Sequence, residues 1–403
     1  PGAPSVSFGL YLMGGRTGES SADAGITRLA ASTLRRGTTS RSGEQIDREL
    51  ELLGTELELD VDSDAVGLHL DVLRDNLRPA LDLVADVALR PTFPAEGVEE
   101  ERALQLAAIR RGFDSSFQRP AALAYGALYG THPYGLPSVG TADSVAAAGA
   151  GDLAAWWRGL ATADNAVLLL VGDVDAAEGR ALVERAFADL PRGDVARTAV
   201  RTPQPPPARL ETIEYRDRKQ SAIVMLFPAP PPTHPDAPKL ELLQRVTSGL
   251  AGTFFAELRG RRSLAYTVFA GYQPRREGGA FLAYLASDAA KEPEAKEALI
   301  EELRKLATDG FTADDMARGK SSYAGATRIG LQTNRAQLGD LIANHVLGLG
   351  LDGTEKTLAA AEATSLEELR AAAGRYAGQE AFVTAILRGK APAAAAASTT
   401  GAP

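Results

Sequence analysis

The sequence predicts a duplicated α+β protein, and three observations predict it. A proline-rich stretch, Arg201-Thr-Pro-Gln-Pro-Pro-Pro-Ala208, divides the 403 residues near their middle. Three consecutive prolines forbid a helix and favour an extended, semi-rigid connection. On both sides of it, alternating strand patterns and longer helical patterns follow one another in the same order. The two halves also end alike. Asp152-Leu-Ala-Ala-Trp-Trp-Arg followed by Asn165-Ala-Val-Leu-Leu-Leu-Val-Gly172 is echoed by Glu368-Leu-Arg-Ala-Ala-Ala followed by Ala381-Phe-Val-Thr-Ala-Ile-Leu-Arg-Gly389. Each is a helix and then an apolar strand ending in glycine, as a repeated unit would give.

Taken in order, Val6, Phe8, Leu10 and Leu12 alternate with smaller or more polar residues and predict a strand facing a core. Gly25 to Arg36 reads as a helix, and Ser42 with Gln45 has the spacing of a capping box that opens a second one to Leu53. Strands at 56–62 and 65–73, separated by Asp62-Ser63-Asp64, predict a hairpin. Helices follow at 79–89, 98–111 and 120–129, then the loop Thr131-His-Pro-Tyr-Gly-Leu-Pro137, a helix at 152–160, a strand at 166–171 and a helix at 176–187. The second half gives strands at 211–215 and 222–227, helices at 237–247 and 254–261, and a strand pair at 265–272 and 280–286 with its turn at Gly278-Gly279. Helices at 292–307, 313–329 and 334–347 complete it, with Thr312 and Ser365 placed as N-caps. The expected division is a first domain over 1–200, a linker over 201–210, a second domain over 211–390 and a disordered alanine- and proline-rich tail over 391–403.

Composition narrows the chemistry. At 45% hydrophobic and 24% charged residues the chain can bury cores and is not wholly disordered. It has no cysteine, which removes disulfides, thiolate-bound zinc and cysteine nucleophiles. The net charge of −9 argues against a broad nucleic-acid surface and leans toward basic peptides. No apolar run is long enough to predict a membrane span. No signal peptide is visible, although Pro1-Gly2-Ala3-Pro4 runs straight into a strand, as in a chain lacking its natural start. The compartment is not fixed by the sequence; the missing cysteines lean toward a bacterial periplasm over cytoplasm. There is no Gly-x-Ser-x-Gly elbow, phosphate loop or dinucleotide fingerprint.

Three segments carry more. One is Ala24-Gly-Ile-Thr-Arg-Leu-Ala-Ala-Ser-Thr-Leu-Arg-Arg-Gly-Thr38 with Ser40-Arg41-Ser42 after it; another is His132-Pro-Tyr-Gly-Leu-Pro137 with Gly140-Thr141; the third is Leu258-Arg-Gly-Arg-Arg-Ser-Leu-Ala-Tyr266. In this order they resemble the pitrilysin/insulinase metallopeptidase family, above all its mitochondrial-processing-peptidase-like and bacterial two-subunit branches. The resemblance spans about Val6 to Leu387. It implies two homologous α/β-sandwich domains, each a mixed or antiparallel sheet with helices packed on it, forming half of a clamshell around a peptide.

Active members carry His-x-x-Glu-His on the first of these helices, where two histidines on one face bind zinc and the glutamate serves as general base. Laid over this chain, the frame puts Arg28 and Ser32 at the histidine positions, Ala31 at the glutamate, and Ala108 at the remaining ligand, within Ala107-Ala108-Ile109. With only His69, His132, His234 and His345 present, no His-x-x-x-His pair exists anywhere in the chain. The family's substrate-pairing edge strand resembles Gly54-Thr-Glu-Leu-Glu-Leu59, with Glu58 where the family has asparagine. By itself His132 reads as a loop-stabilising residue, and Trp156-Trp157 as packing.

Arg259 and Tyr266, by contrast, match the family's second-domain Arg and Tyr. By residue type alone they are a cation at a helix end and a half-buried strand tyrosine. The resemblance implies that they reach the substrate backbone and that the phenol donates toward the developing oxyanion. Gly249 and Gly252, in Thr247-Ser-Gly-Leu-Ala-Gly252, match the glycine-rich stretch of the non-catalytic processing-peptidase subunit and imply a short lip over the peptide; read alone they are a helix C-cap. The implied function is the non-catalytic subunit of a heterodimeric zinc metallopeptidase. It would bind no metal itself, with zinc on a homologous partner subunit and a peptide as substrate. The alternative is an inert structural or peptide-binding protein of the same fold, like the core subunits of respiratory complexes.

Overall fold

The computed structural model describes residues 4–193, 202–249 and 251–390. Arg201, Leu250 and the expected tail at 391–403 lie outside the described residues. The chain opens with β1 (Ser5–Met13), whose residues Val6, Phe8, Leu10 and Leu12 are buried on one face. Then come α1 (Ile26–Thr33), α2 (Gly43–Leu53), the hairpin of β2 (Glu58–Val61) and β3 (Ala65–Leu73), α3 (Leu77–Leu89), α4 (Ala95–Asp114) and α5 (Gln118–Tyr129). The first half closes with α6 (Ala142–Ala147), α7 (Ala150–Leu160), β4 (Ala166–Gly172) and α8 (Ala176–Ala186). The second half runs β5 (Leu210–Tyr215), β6 (Gln220–Ala229), α9 (Ala237–Thr247), a π-helical turn at Phe255–Arg261, β7 (Thr267–Arg275) and β8 (Gly278–Asp288). It ends with α10 (Glu292–Lys305), α11 (Ala313–Gly330), α12 (Asn334–Val346), α13 (Gly353–Ala363), α14 (Leu366–Tyr376) and β9 (Val383–Arg388).

Two sheets result. The first has the order β2-β3-β1-β4 and is antiparallel throughout; the second has the order β5-β9-β6-β8-β7, with β5 alone parallel to its neighbour β9. Strip away β5 and the two orders coincide. β1 and β6 are the central strands, β3 and β8 pair with them from one side, β4 and β9 from the other, and β2 and β7 are the matching edges. This is the duplicated α+β plan. Local signals set many boundaries as expected: Ser42 accepts from the Gln45 amide while the Gln45 side chain accepts from Ser42, and Thr312 and Ser365 close the same box with Asp315 and Glu368.

Each sheet is covered on one face by helices of its own half. Val6, Phe8 and Leu10 of β1, Val66, Leu68 and Leu70 of β3, and helix residues Leu29, Leu81 and Trp157 form one core. Ile223, Met225 and Phe227 form another with Leu240, Leu299 and Leu369. The opposite faces are covered by exchange. α5, from the first half, lays Ala121, Ala124 and Leu128 against Ala222, Val224 and Leu226 of the second sheet. α12, from the second half, lies across β1 and β4, with Leu338 against Gly9. Burying an apolar side chain such as Leu338 contributes roughly 1.5–3 kcal/mol, so neither sheet is complete without the other half's helix.

Four expectations shift. α6 and α13 were not expected. The helix expected over 254–261 is a π-helical turn, Phe255–Arg261, whose end is closed five residues back by the Arg262 amide on the Glu257 carbonyl. The strand expected from 265 begins at Thr267. The turn joining β7 and β8 is Arg276-Glu277, and Gly278-Gly279 already pair as the first residues of β8. No helix among the described residues is long and apolar enough to cross a membrane.

Candidate functional site

α1 is built for precise placement. Gly25 precedes it at φ 90°, and the buried Glu19 carboxylate accepts from the amides of Gly25 (2.9 Å) and Thr27 (3.0 Å) at its positive end. Burial pushes the Glu19 carboxyl up, and these donors pull it back. Ile26, Leu29, Ala30 and Thr33 are buried, so the other face carries Arg28, exposed, and Ser32, half-buried. α4 is tied to α1 by Gln105, whose Nε2 donates to the carbonyls of Gly25 and Val139, both at 3.0 Å. One turn further on, Ala108 is half-buried.

The positions that the resemblance assigns to metal ligands thus lie on adjoining helices and carry no donors. Ala31 is fully buried and, like Ala108, offers no ligand atom; Arg28 brings a positive charge that repels a dication. No group of three or more histidine, aspartate or glutamate side chains among the described residues is arranged to hold a metal ion. Zinc does not fit this set of residues.

The other motifs resolve into structure. In the segment after α1, Thr38 Oγ1 (2.6 Å), Ser40 Oγ (2.7 Å) and Arg41 Nη1 (2.8 Å) donate to the buried Asp86 carboxylate of α3, as does Arg90 Nε (2.8 Å) at the end of α3. In the His-Pro-Tyr-Gly loop, His132 Nδ1 accepts the Tyr134 amide at 3.1 Å, stabilising the loop as its residue type suggested. Tyr134 reaches further: its hydroxyl donates to Asp64 in the β2–β3 turn at 2.7 Å, while Asp64 accepts the Arg276 amide and the Tyr134 hydroxyl accepts that of Glu277, both at 3.3 Å. The loop therefore pins the β7–β8 turn of the second half to the first. Trp157 is buried with its indole on the Ala88 carbonyl, and Trp156 donates to Thr27 Oγ1.

In the second half the structure brings Arg259 and Tyr266 together. Arg259 lies in the π-helical turn, its guanidinium 4.9 Å from the Phe255 ring centroid, and Nη1 donates to the Tyr266 carbonyl at 2.8 Å. Such turns often mark functional positions. The Tyr266 amide donates to Ala286 at 2.8 Å, which fixes the residue at the head of β7, and its side chain is 52% exposed. Lys291 Nζ holds the intervening loop at the Ser263 carbonyl. Gly249, at φ 88°, has open space around it, whereas a Cβ on the buried Gly252 would collide with the carbonyls of Thr247 and Ser248. Between them and α9, Ser248 Oγ bonds both the amide and the carbonyl of Ala270 on β7. Among the described residues no hydrogen bond, ion pair or ring contact joins Arg259 or Tyr266 to Arg28, Ala31, Ser32 or Ala108.

Sequence reasoning passed over an acidic row. Along residues 56–62, which contain the edge strand β2, Leu57, Leu59 and Val61 pack into the first core, so the exposed Glu56, Glu58, Asp60 and Asp62 alternate onto the other side. The alternation itself was the available signal.

Fold and site together define a class: a duplicated α+β protein whose α1 and α4 carry no metal ligands at the positions the resemblance marks. The comparisons agree. The insulinase (peptidase family M16) model matches residues 1–126, and the peptidase M16 inactive domain model matches residues 148–323. The chain belongs to the pitrilysin/insulinase peptidase family. It is 27% identical over 380 residues to an uncharacterized zinc protease of Mycobacterium leprae, covering 93% of this chain and 84% of that one. An uncharacterized zinc protease of Bacillus subtilis is 22% identical over 339 residues, covering 84% and 82%. Among solved structures, the peptidase M16 inactive domain from Pseudomonas fluorescens superposes with a TM-score of 0.89 at 22% identity over 96% of this chain and 93% of that one. A protease from Helicobacter pylori gives 0.86 at 18% identity, covering 96% and 94%. These two likenesses carry the fold.

Proposed function

We propose that this chain is the non-catalytic subunit of a heterodimeric zinc metallopeptidase. A homologous partner subunit brings the metal site, and this chain binds no metal of its own. Arg259 and Tyr266 are its contribution to the shared chamber, gripping the peptide backbone and placing a phenol where an oxyanion develops. The observation that carries the reading is the split itself: Arg259 on the π-helical turn holds the backbone of Tyr266 at the head of β7, while Arg28, Ala31, Ser32 and Ala108 offer no metal ligand. Gly249 and Gly252 supply a short lip anchored by Ser248. The net charge of −9 supports a basic peptide as substrate.

The test is a protease assay on a flexible basic peptide, with zinc content measured, for the chain alone and mixed with a zinc-motif homologue from the same organism. Silence alone, no stoichiometric zinc and cleavage in the mixture support the reading, and loss of that cleavage in Tyr266→Phe assigns the role. Stoichiometric zinc and cleavage by the chain alone overturn it. Silence in a mixture that has formed a complex favours the inert peptide-binding alternative.

A further inference from the structure

One charged cluster belongs neither to the Arg259–Tyr266 site nor to the degenerate metal positions. It lies on the face of the first sheet that α12 crosses. There His69 of β3 is 5% exposed, and Arg335, in the first turn of α12, comes from the other half of the chain. The Arg335 guanidinium reaches Glu58 Oε2 of β2 at 2.7 Å, Asp71 Oδ2 of β3 at 3.1 Å, and His69 Nε2. His69 Nδ1 lies 3.1 Å from Asp60 Oδ2 of β2, and Nε2 lies 3.7 Å from Glu58 Oε2. Tyr11 of β1 donates to Asp60 at 3.1 Å and stacks nearly parallel to the His69 ring, which is possible because its cross-strand partner Gly67 has no Cβ to strike the phenol. Ser7 of β1 donates to Asp71.

The tautomer follows from the partners. A guanidinium offers only donors, so His69 Nε2 must accept and the ring proton must sit on Nδ1, toward Asp60. The arrangement therefore requires a neutral imidazole. A second proton on the ring turns Nε2 into a donor facing donors and sets two cations side by side. The same proton makes the ring a partner for Glu58, which already lies 3.7 Å away. Tyr11, Glu58, Asp60, Asp71 and Arg335 are the charged and titratable groups that face it from β1, β2, β3 and α12. Asp60 is held below the usual carboxylate range, first by His69 beside it, with burial opposing.

We propose that His69 and Arg335 form a proton-operated lock between the two halves of the chain. In the neutral state Arg335 fastens α12 to β2 and β3. On protonation His69 takes Glu58 in place of Arg335, and the first turn of α12 is loosened from the edge strand β2 while the rest of the helix stays docked. The lock stands apart from the subunit reading above, since it needs neither a partner nor zinc.

The absence of native cysteine makes a direct test available. Cysteines introduced at Leu52 on α2 and Leu351 before α13, 79% and 64% exposed, carry a pair of nitroxide labels, and the inter-label distance distribution of the full chain is recorded at about pH 8 and about pH 5.5. The expected result is a longer or broader distribution at the lower pH, absent in His69→Gln, which cannot be protonated. Arg335→Gln tests the lock without touching the histidine and is expected to show the released distribution already at the higher pH. An unchanged distribution across the two pH values, a shift that persists in His69→Gln, or an Arg335→Gln chain that stays locked at the higher pH would each overturn the proposal.

Discussion

The Arg259 guanidinium holds the backbone carbonyl of Tyr266, across 2.8 Å, and leaves the phenol free; the Tyr266 side chain is 52% exposed. The contact positions the residue without using the hydroxyl. Tyr266→Phe should therefore leave the loop in place and act only on chemistry. In the assembled complex it is expected to lower kcat by about 10²–10³ with little change in KM, as loss of one oxyanion donor does. Arg259→Ala removes the anchor as well and should raise KM in addition to lowering kcat. Steady-state kinetics of the two mixtures separates these outcomes.

Asp86 predicts an acid limb of stability. Burial pushes its carboxyl up, but the donors Thr38, Arg90, Ser40 and Arg41 outweigh burial and hold it at about 2. A folded value below the unfolded one means stability present above the unfolded value, near 4, and lost as pH falls toward 2. The amount is about 2 kcal/mol. Asp86→Asn should lower stability at neutral pH and flatten that limb, read from urea unfolding at pH values between about 5 and about 2.

Glu241 predicts the opposite slope. Burial on α9 pushes its carboxyl up to about 7, with Arg245 pulling only partly against it. A folded value above the unfolded one favours folding of the protonated form, so this group's contribution improves as pH falls from about 8 toward about 5. Glu241→Gln is expected to raise the melting temperature at the higher pH, by an amount worth roughly 2 kcal/mol, and to change it little at the lower. Thermal unfolding of both chains at the two pH values checks the sign.

Gly140 predicts intolerance to a single methyl group. It sits at φ 78°, and a Cβ would collide with the Ala24 carbonyl just before α1. Gly140→Ala should destabilise by about 2 kcal/mol or more, since both the backbone conformation and the space are wrong for it. Gly54→Ala, also at positive φ (67°) but with open space around it, should cost clearly less. Denaturant midpoints of the pair separate strain from collision.

The repeated strand order and most helices were legible because period and caps act over a few residues. Ser42, Thr312 and Ser365 announced their helices. α6 is six residues long, too short for a period to register, and α13 carries no strong apolar stripe. An amphipathic face says that a helix packs but not on which sheet, so the exchange of α5 and α12 could not be read. In the site, Arg259 and Tyr266 were singled out through the family resemblance, which their spacing of seven on one local unit carries. The His69–Arg335 contact joins residues 266 apart, and neither has a local pattern that names the other.

The exchange of helices has a consequence for biosynthesis. On a ribosome the first half is complete long before α12 is made. Until residue 346 has emerged, the face of the first sheet that receives Leu338 and Arg335 is bare, and α5 waits for the strands it will cover. A nascent chain of this kind exposes apolar surface at the stage when neighbouring chains are most concentrated around it. Its final docking steps join segments hundreds of residues apart, which makes them slow. Fragments cut at the proline-rich stretch should for the same reason be poorly soluble alone and recover when co-expressed, each half acting as the other's folding partner.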